Sequence, residues 1–378
     1  MEENKDYILW LTKWYPNVDD PQLGIFVRKH AELLASKHRV VVIYLCPNWN
    51  SSKPKVDYQK RGKLEEYIVY YRPFKRLMKV FNPYMYYRFQ KEVYASLEGR
   101  PKHCFVNIGA KTGFLPYYHL RKEGISFSLI EHWSGFVNGK FNRKSGYKKR
   151  FYKRLVSKAQ SIFVVSEYLK KGMEQQLKIS GIQIVPNVIE DSVGLSSPSD
   201  QPTILVVGDL EDEVKNTSGV LRAFKHFVQI RNEYQLKIVG GGSSESDLKK
   251  LKEELGLENA VHFLGRLENE KTLQEIASCK FLVSNSNFET FGMVIAEALM
   301  AGKPVVSTKS GGPEEFLNTD NSILIEKQNE DALLQAMLQM HENYDQFDPK
   351  KISRSIHERF NRDKILNILE AEISSSST

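Results

Sequence analysis

Cysteine is scarce in this 378-residue chain: Cys46, Cys104 and Cys279 are an odd number and lie far apart. That excludes a disulfide framework and offers no zinc-ligand spacing, so the three read as reduced thiols in or near a core. Long hydrophobic runs are also missing, and none approaches the roughly 18 residues that a spanning helix needs. The first ten residues, MEENKDYILW, are acidic and lack the charged-then-apolar layout of a secretory leader, so the chain is expected to stay in the cytoplasm. There is no internal repeat beyond two similar sheet domains, and no zinc or calcium motif.

What is present suffices for two domains of ordinary size with the composition of a soluble globular protein. The net charge of +8 hides an asymmetry: residues 1–190 hold 34 Lys and Arg against 16 Asp and Glu, leaving 20 against 30 for residues 191–378. Two segments concentrate the basic excess. Residues 71–88 read YRPFKRLMKVFNPYMYYR, and residues 138–158, NGKFNRKSGYKKRFYKRLVSK, hold nine basic residues and no acidic one. Cations interleaved with Phe and Tyr suit an anionic membrane surface, at about 1 kcal/mol per Lys or Arg near it. They equally suit RNA or DNA, or no more than a solvated basic face.

Short apolar runs alternate with helical patterns along most of the chain. Residues 7–14, YILWLTKW, predict a strand; Gly24 opens the helix IFVRKHAELLASK, and RVVVIYL follows as a strand, which makes a βαβ unit. LEEYIVYYRPF, HCFVNIG, ISFSLIEHWSG and SIFVVSEYL read as further strands, with a helix over NPYMYYRFQKEVYASL. Residues 188–202, VIEDSVGLSSPSDQP, have the composition of a linker. Beyond them TILVVG, QLKIVGGG, VHFLG and FLVS alternate with helices, the pattern of a doubly wound parallel sheet.

The organising stretch is residues 281–313, FLVSNSNFETFGMVIAEALMAGKPVVSTKSGGP. It predicts a strand, a loop, a helix capped by Thr290 that begins near Phe291 or Gly292, and a second strand at PVVST. Free N–H groups and the positive dipole end at that helix start suit a phosphate or a sugar hydroxyl. Glu297, between apolar neighbours, needs a partner such as a diol or a cation, and a neighbouring Lys or Arg would serve equally. Glu289 in the preceding loop is either a ligand-facing carboxylate or a solvated one.

Taken whole, Glu289, Phe291-Gly292, Glu297-Ala298, Ala301-Gly302-Lys303-Pro304-Val305-Val306, Gly311-Gly312 and Glu314 closely resemble the donor-binding signature of the retaining family-4 glycosyltransferases. The resemblance covers nearly the full chain, strongly after residue 200 and loosely before it. It implies an α/β chain of the GT-B fold, with two Rossmann-like doubly wound parallel-sheet domains facing across a cleft. The expected boundaries are an acceptor-side domain at 1–190, a nucleotide-sugar domain at 191–355, and a helix at 356–378 that crosses back to the first domain and ends in a disordered tail.

The resemblance also assigns roles. Glu289 orients the donor sugar and Glu297 holds the ribose hydroxyls. Lys215, Gly24 and the helix start at Phe291-Gly292 face the diphosphate, the turn Gly265-Arg266-Leu267 reads the base, and His132 contacts the sugar. The family's usual Arg before Lys215 is replaced by Asp209, in a loop that is a residue longer; Arg28 or Arg266 is the candidate substitute. The implied reaction is retaining transfer from a nucleoside diphosphate sugar, with no metal and no other cofactor, onto a saccharide or lipid-linked acceptor. Lys148, Lys149, Arg150, Lys153 and Arg154, in a loop beside the acceptor, would meet the inner face of a bacterial plasma membrane, with no nucleic-acid partner. The competing readings are a basic nucleic-acid-binding protein and a GT-B sugar-nucleotide epimerase that needs no acceptor.

Overall fold

The parallel strands form because β-branched and aromatic residues run almost unbroken, as they must where helices cover both faces of a sheet. The computed structural model of the chain describes residues 5–51, 53–190, 194–195 and 200–375. In sequence order its strands are β1 (Tyr7–Thr12), β2 (Val40–Pro47), β3 (Lys55–Arg61), β4 (Leu64–Tyr71), β5 (Pro101–Asn107), β6 (Phe127–Glu131), β7 (Ile162–Val164) and β8 (Gln183–Ile184), followed by β9 (Thr203–Val207), β10 (Gln235–Val239), β11 (Val261–Gly265), β12 (Phe281–Ser284), β13 (Val305–Thr308) and β14 (Ser322–Ile325). All six residues of β1 and the first seven of β2 are buried.

Two compact units result, Met1–Val188 with Arg362–Thr378, and Ile189–Asn361. The first holds an eight-stranded sheet in the order β3-β4-β2-β1-β5-β6-β7-β8. All its pairs are parallel except β3 with β4. β3 is an exposed hairpin edge of polar composition, KVDYQKR, which periodicity does not single out. The order reverses direction between β1 and β5, and the second sheet, β11-β10-β9-β12-β13-β14, reverses between β9 and β12. In a doubly wound sheet such a switch point opens a crevice beyond the carboxyl ends of the two strands, where ligands bind.

The last helix, Arg362–Ser375, packs Ile365, Leu366, Leu369 and Ile373 into the core of the first unit. A polar network, buried at His103, Ser128 and Glu372 and reaching the surface at Gln160, fastens it there. His103 on β5 bonds Ser128 Oγ on β6 at 3.0 Å, Ser128 donates to Glu372 Oε1, and Gln160 Nε2 donates to the same oxygen at 2.9 Å. Ser374 and Ser375, expected in the tail, are helical; residues 376–378 lie outside the described residues, as do 191–193 and 196–199 of the expected linker. Residues 356–361 belong to the second unit. The helix Pro349–Arg359 buries Ile352 and Ile356 there, and Phe360 completes a ring cluster with Phe291 and Phe316 at 5.1 and 5.4 Å.

Two local expectations are corrected. The helix of the organising stretch spans Met293–Met300, and its N-cap is Gly292 in the left-handed region (φ 84°), with no capping side chain. Thr290 sits too early, because the chain must first pass Gly312, whose Cβ, if it had one, would lie 2.2 Å from the Thr290 carbonyl oxygen. The basic segment is not a loop but largely a helix, Gly146–Val156. Tyr152, Leu155 and Val156, at i, i+3 and i+4, form its buried face, a periodicity hidden by the density of charge.

Candidate active site

In the second unit the loops after β9 and β12, the two strands flanking the switch point, are zipped together. Asn287 N donates to Val214 O at 2.7 Å, Asn287 Nδ2 to Glu213 O at 2.9 Å, and Asn285 Nδ2 to Asn216 O at 3.0 Å. Lys215 closes a single helical turn, Asp212–Lys215, released by Asn216 in the left-handed region. Its stem lies against Gly208, where a Cβ would stand 3.1 Å from Lys215 Cε. Lys215 Nζ donates to Glu289 Oε1 at 2.5 Å, and Ser286 Oγ donates to the same oxygen at 2.8 Å. Burial pulls the Lys215 ammonium down, but the Glu289 carboxylate outweighs it, and the net shift is upward.

Backbone bonds fix Glu289 from the other side. Its N–H donates to Ser310 O, and its carbonyl accepts from Gly312, both at 2.9 Å. Ser310 Oγ beside it is buried with no protein partner. Gly292 is demanded twice, by its positive φ and by Pro313, whose Cγ would lie 2.5 Å from an added Cβ. The Phe291 ring belongs to the aromatic cluster, so only backbone at this position can face a ligand. Glu297 is buried in the helix Met293–Met300 between Ala296 and Ala298.

Arg266 follows β11 directly, with Leu267 half-buried beside it. Its Nη2 donates to Asp209 Oδ1 at 2.8 Å and to Gly241 O at 3.0 Å. The structure therefore brings a guanidinium to the very residue that stands where an Arg was expected. Arg28, the other candidate, is paired within the first unit: its Nε lies 3.0 Å from Glu32 and 3.4 Å from Glu66.

In the first unit Gly24 caps the helix Ile25–Ala35 at φ 67°, and a Cβ there would lie 2.5 Å from the Trp14 carbonyl. Both constraints require glycine irrespective of any ligand. His132 follows β6, against Phe26 at 4.7 Å, and its Nε2 lies 3.4 Å from Asn107 Oδ1 at the end of β5. With that nitrogen as donor, Nδ1 is an acceptor without a protein partner, and Asn107 Nδ2 is a donor without one. Burial holds His132 well below the ordinary histidine range, with His30 adding to the shift, so it is neutral.

Sequence reasoning passed over Glu131. Its buried carboxylate accepts from the His132 and Trp133 amides at 3.0 Å and from Tyr152 Oη at 2.5 Å, so it sets the backbone that carries His132. No spacing signal links it to Tyr152, 21 residues away. Lys13, Lys111 and Lys144 were missed as well. Burial lowers all three; Lys144 and Lys111 push Lys13 down further, and Lys148 does so for Lys111 and Lys144. Of the basic patch, Lys148, Arg150, Lys153 and Arg154 are exposed, while Lys149 is half-buried with Nζ on Asn142 O at 3.2 Å. Arg150 and Arg154 border a depression of about 420 Å³ walled by Tyr117, Tyr118, Tyr147 and Phe151.

Among known proteins, residues 188–357 match the glycosyl transferases group 1 and residues 23–193 match glycosyltransferase family 4. A Campylobacter jejuni relative, N-acetylgalactosamine-N,N'-diacetylbacillosaminyl-diphospho-undecaprenol 4-alpha-N-acetylgalactosaminyltransferase, is 31% identical over 54% of this chain and 57% of its own length. The chain spans 60% or less of the length of the curated relatives it first matches. Sucrose-phosphate synthase from Thermosynechococcus elongatus superposes with a TM-score of 0.78 at 17% identity, over 97% of this chain and 98% of that one. Anabaena HepE, solved in complex with UDP and glucose, gives 0.73 at 17% identity over 98% and 99%. Two doubly wound units, the signature around Glu289 and Glu297, and matches that together run from residue 23 to 357 place this chain in the group 1 and family 4 glycosyltransferases, with the GT-B fold.

Proposed function

We propose that the protein is a retaining, metal-independent hexosyltransferase that passes a sugar from a nucleoside diphosphate sugar to a saccharide or lipid-linked saccharide, in the assembly of a bacterial surface polysaccharide such as capsule, O-antigen or lipopolysaccharide. The observation that carries this reading is the Lys215–Glu289 pair at the switch point of the second unit. A cation and a carboxylate so held are suited to a diphosphate and to the hydroxyls of the sugar it bears.

In the reaction the bond from the anomeric carbon to the diphosphate oxygen breaks, and a bond to the acceptor hydroxyl forms on the same face. The hydroxyl proton passes to the departing phosphate. Lys215 and the amides at the start of the helix Met293–Met300 neutralise the developing charge, the largest electrostatic demand of the step. Glu289 orients the sugar, Glu297 takes the ribose hydroxyls, and the turn at Arg266-Leu267 meets the base. From the first unit Gly24 offers backbone to the diphosphate, and His132 offers Nδ1 to a sugar hydroxyl. No side chain serves as a covalent nucleophile.

The acceptor is proposed to be lipid-linked and anionic. Burial lowers the pKa values of Lys13, Lys111 and Lys144, with Lys144 and Lys111 adding to the shift of Lys13 and Lys148 to those of the other two, and a phosphate among them would favour their charged forms. The Campylobacter jejuni relative is named for a diphospho-undecaprenol saccharide. The basic helix Gly146–Val156 would hold the protein peripherally on the cytoplasmic face of the membrane. A thermal-shift screen with UDP and GDP in EDTA tests the donor half, and stabilisation by at least one is expected. Stabilisation by neither would overturn the assignment.

A further inference from the structure

The first unit carries an apolar tip that the donor chemistry does not use. Eight consecutive residues, 74–81, read FKRLMKVF, and every one is exposed. Leu77 is 92% and Val80 71% exposed, with Met78 and Phe81 each at 49%. Leaving such side chains in water forgoes burial that a core would provide.

The segment is built rather than frayed. Asn82 clamps its neck with two bonds: its Oδ1 accepts from Phe74 N at 2.8 Å, and its Nδ2 donates to Phe74 O at 3.1 Å. The Phe74 and Phe81 rings meet edge-on across the neck at 6.5 Å. Residues Arg76–Phe81 form a 3₁₀ turn that Arg76 enters at φ +50°, a conformation ordinary side chains avoid. The helix Asn82–Ala95 then anchors the base through Tyr86, Phe89 and Val93.

Charge decides what the tip meets. Arg72, Lys75, Arg76 and Lys79 surround it, and no acidic residue occurs between positions 71 and 88. Lys75 Nζ lies 4.7 Å from the ring centre of Trp49, itself 47% exposed, so an indole flanks the cations. Tyr84, at 65%, adds a second amphipathic ring. A protein groove would bury the apolar side chains but leave four cations to be paired one by one. A bilayer with anionic headgroups takes both at once, with acyl boundary for the tip, phosphates for the cations and the interface for the aromatic rings.

We infer that residues 74–81 are a wedge that inserts into the interfacial layer of an anionic membrane, with Leu77, Met78, Val80 and Phe81 reaching the acyl chains and Arg72, Lys75, Arg76 and Lys79 at the headgroups. This deepens the membrane part of the reading above and rests on it. The basic helix supplies attraction, and the wedge supplies depth.

The three native cysteines are buried, so Leu77→Cys can be labelled selectively with an environment-sensitive fluorophore on the full chain. Ser246→Cys, exposed on the second unit, is the control. With vesicles of phosphatidylglycerol and phosphatidylcholine, the label at 77 should shift to the blue and be quenched by brominated acyl chains, and the label at 246 should do neither. Leu77→Ser with Phe81→Ser should weaken vesicle partitioning by roughly tenfold or more per residue while leaving any UDP- or GDP-induced thermal shift unchanged. Pelleting with vesicles but no response at 77 would overturn the wedge and leave the membrane reading standing. Failure to pellet at all would overturn both, with the donor assignment decided separately by the nucleotide response. A blue shift without vesicles that grows with protein concentration would make the tip an interface between copies and overturn the inference.

Discussion

Replacing Lys215 by Met keeps the length of the stem and removes the ammonium that lies 2.5 Å from Glu289. Two consequences separate in magnitude and in kind. The first is structural. The Glu289 side chain is only 16% exposed and that of Lys215 25%, so the variant leaves a mostly buried carboxylate with Ser286 as its remaining donor. Breaking a fully buried pair costs about 3–5 kcal/mol, and partial exposure reduces this to about 1–2 kcal/mol. For a domain of this size the melting temperature should fall by roughly 2–8 °C. The pair is intact in a neutral assay. Because the Lys215 pKa is raised, its stabilisation is fully present below the ordinary lysine range and is lost only as pH rises through the raised value. The second consequence concerns the ligand. A nucleoside diphosphate at about a hundred times its dissociation constant stabilises the folded state by about 2.7 kcal/mol. Losing one hydrogen bond to a charged group, about 1.5–3 kcal/mol, weakens affinity by about 10- to 150-fold. At the same concentration the gain then drops to about 0.3–1.4 kcal/mol. Differential scanning fluorimetry with and without UDP or GDP reads both quantities. Adding Glu289→Gln to Lys215→Met should restore the basal melting temperature but not the nucleotide response. A Lys215→Met protein that melts earlier yet gains as many degrees from nucleotide as the parent would show that Lys215 only balances Glu289, and the diphosphate role would be wrong.

Asp209→Asn releases Arg266 from an exposed pair and should change stability by less than about 0.5 kcal/mol. If the guanidinium serves the diphosphate, this variant binds UDP or GDP more tightly and Arg266→Ala binds it at least tenfold more weakly by titration calorimetry, whereas two unchanged affinities would remove the pair from the donor site. Gly292→Ala combines a left-handed backbone with a 2.5 Å approach to Pro313, so it should cost about 2–3 kcal/mol and show as a lowered urea midpoint. Burial lowers both His30 and His103 to about 4, so between the ordinary histidine range and that value the unfolded chain binds protons that the folded chain refuses. Stability should therefore drop as pH is lowered through this window, by up to about 1.4 kcal/mol per pH unit for each histidine, partly offset by Glu131, which burial shifts upward. Urea titrations at pH 7, 6 and 5 should show the slope, and His103→Asn should lessen it; a flat profile would refute the argument.

Much of the architecture was legible because parallel strands covered on both faces must be apolar runs. FLVS, TILVV and VVVIYL announce themselves, and each lies where expected. What escaped has physical causes of the same kind. β3 faces water at an edge, so it keeps its hydrogen bonds to β4 while carrying no apolar code. The basic helix Gly146–Val156 codes its helicity in three buried residues interleaved with five charged ones, and a reading that follows charge sees a loop.

The sequence names candidate residue types for the site, and the couplings between them are not legible in it. Spacing cannot tell that Lys215 and Glu289, 74 residues apart, share a hydrogen bond, because the bond depends on which strands become neighbours across the switch point. The same limit applies to Asp209 and Arg266. A carboxylate in place of an expected arginine reads as a loss so long as the chain is one-dimensional. In the folded sheet the ends of β9 and β11 both reach Gly241, and the cation returns from the far side of β10. We propose that what a ligand would meet at these strand ends is their summed charge rather than the identity of any one position. It follows that exchanging the two charges, Asp209→Arg with Arg266→Asp, should preserve nucleotide binding far better than either single change. A double variant no better than the worse single one would mean that position, and not summed charge, is what the crevice requires.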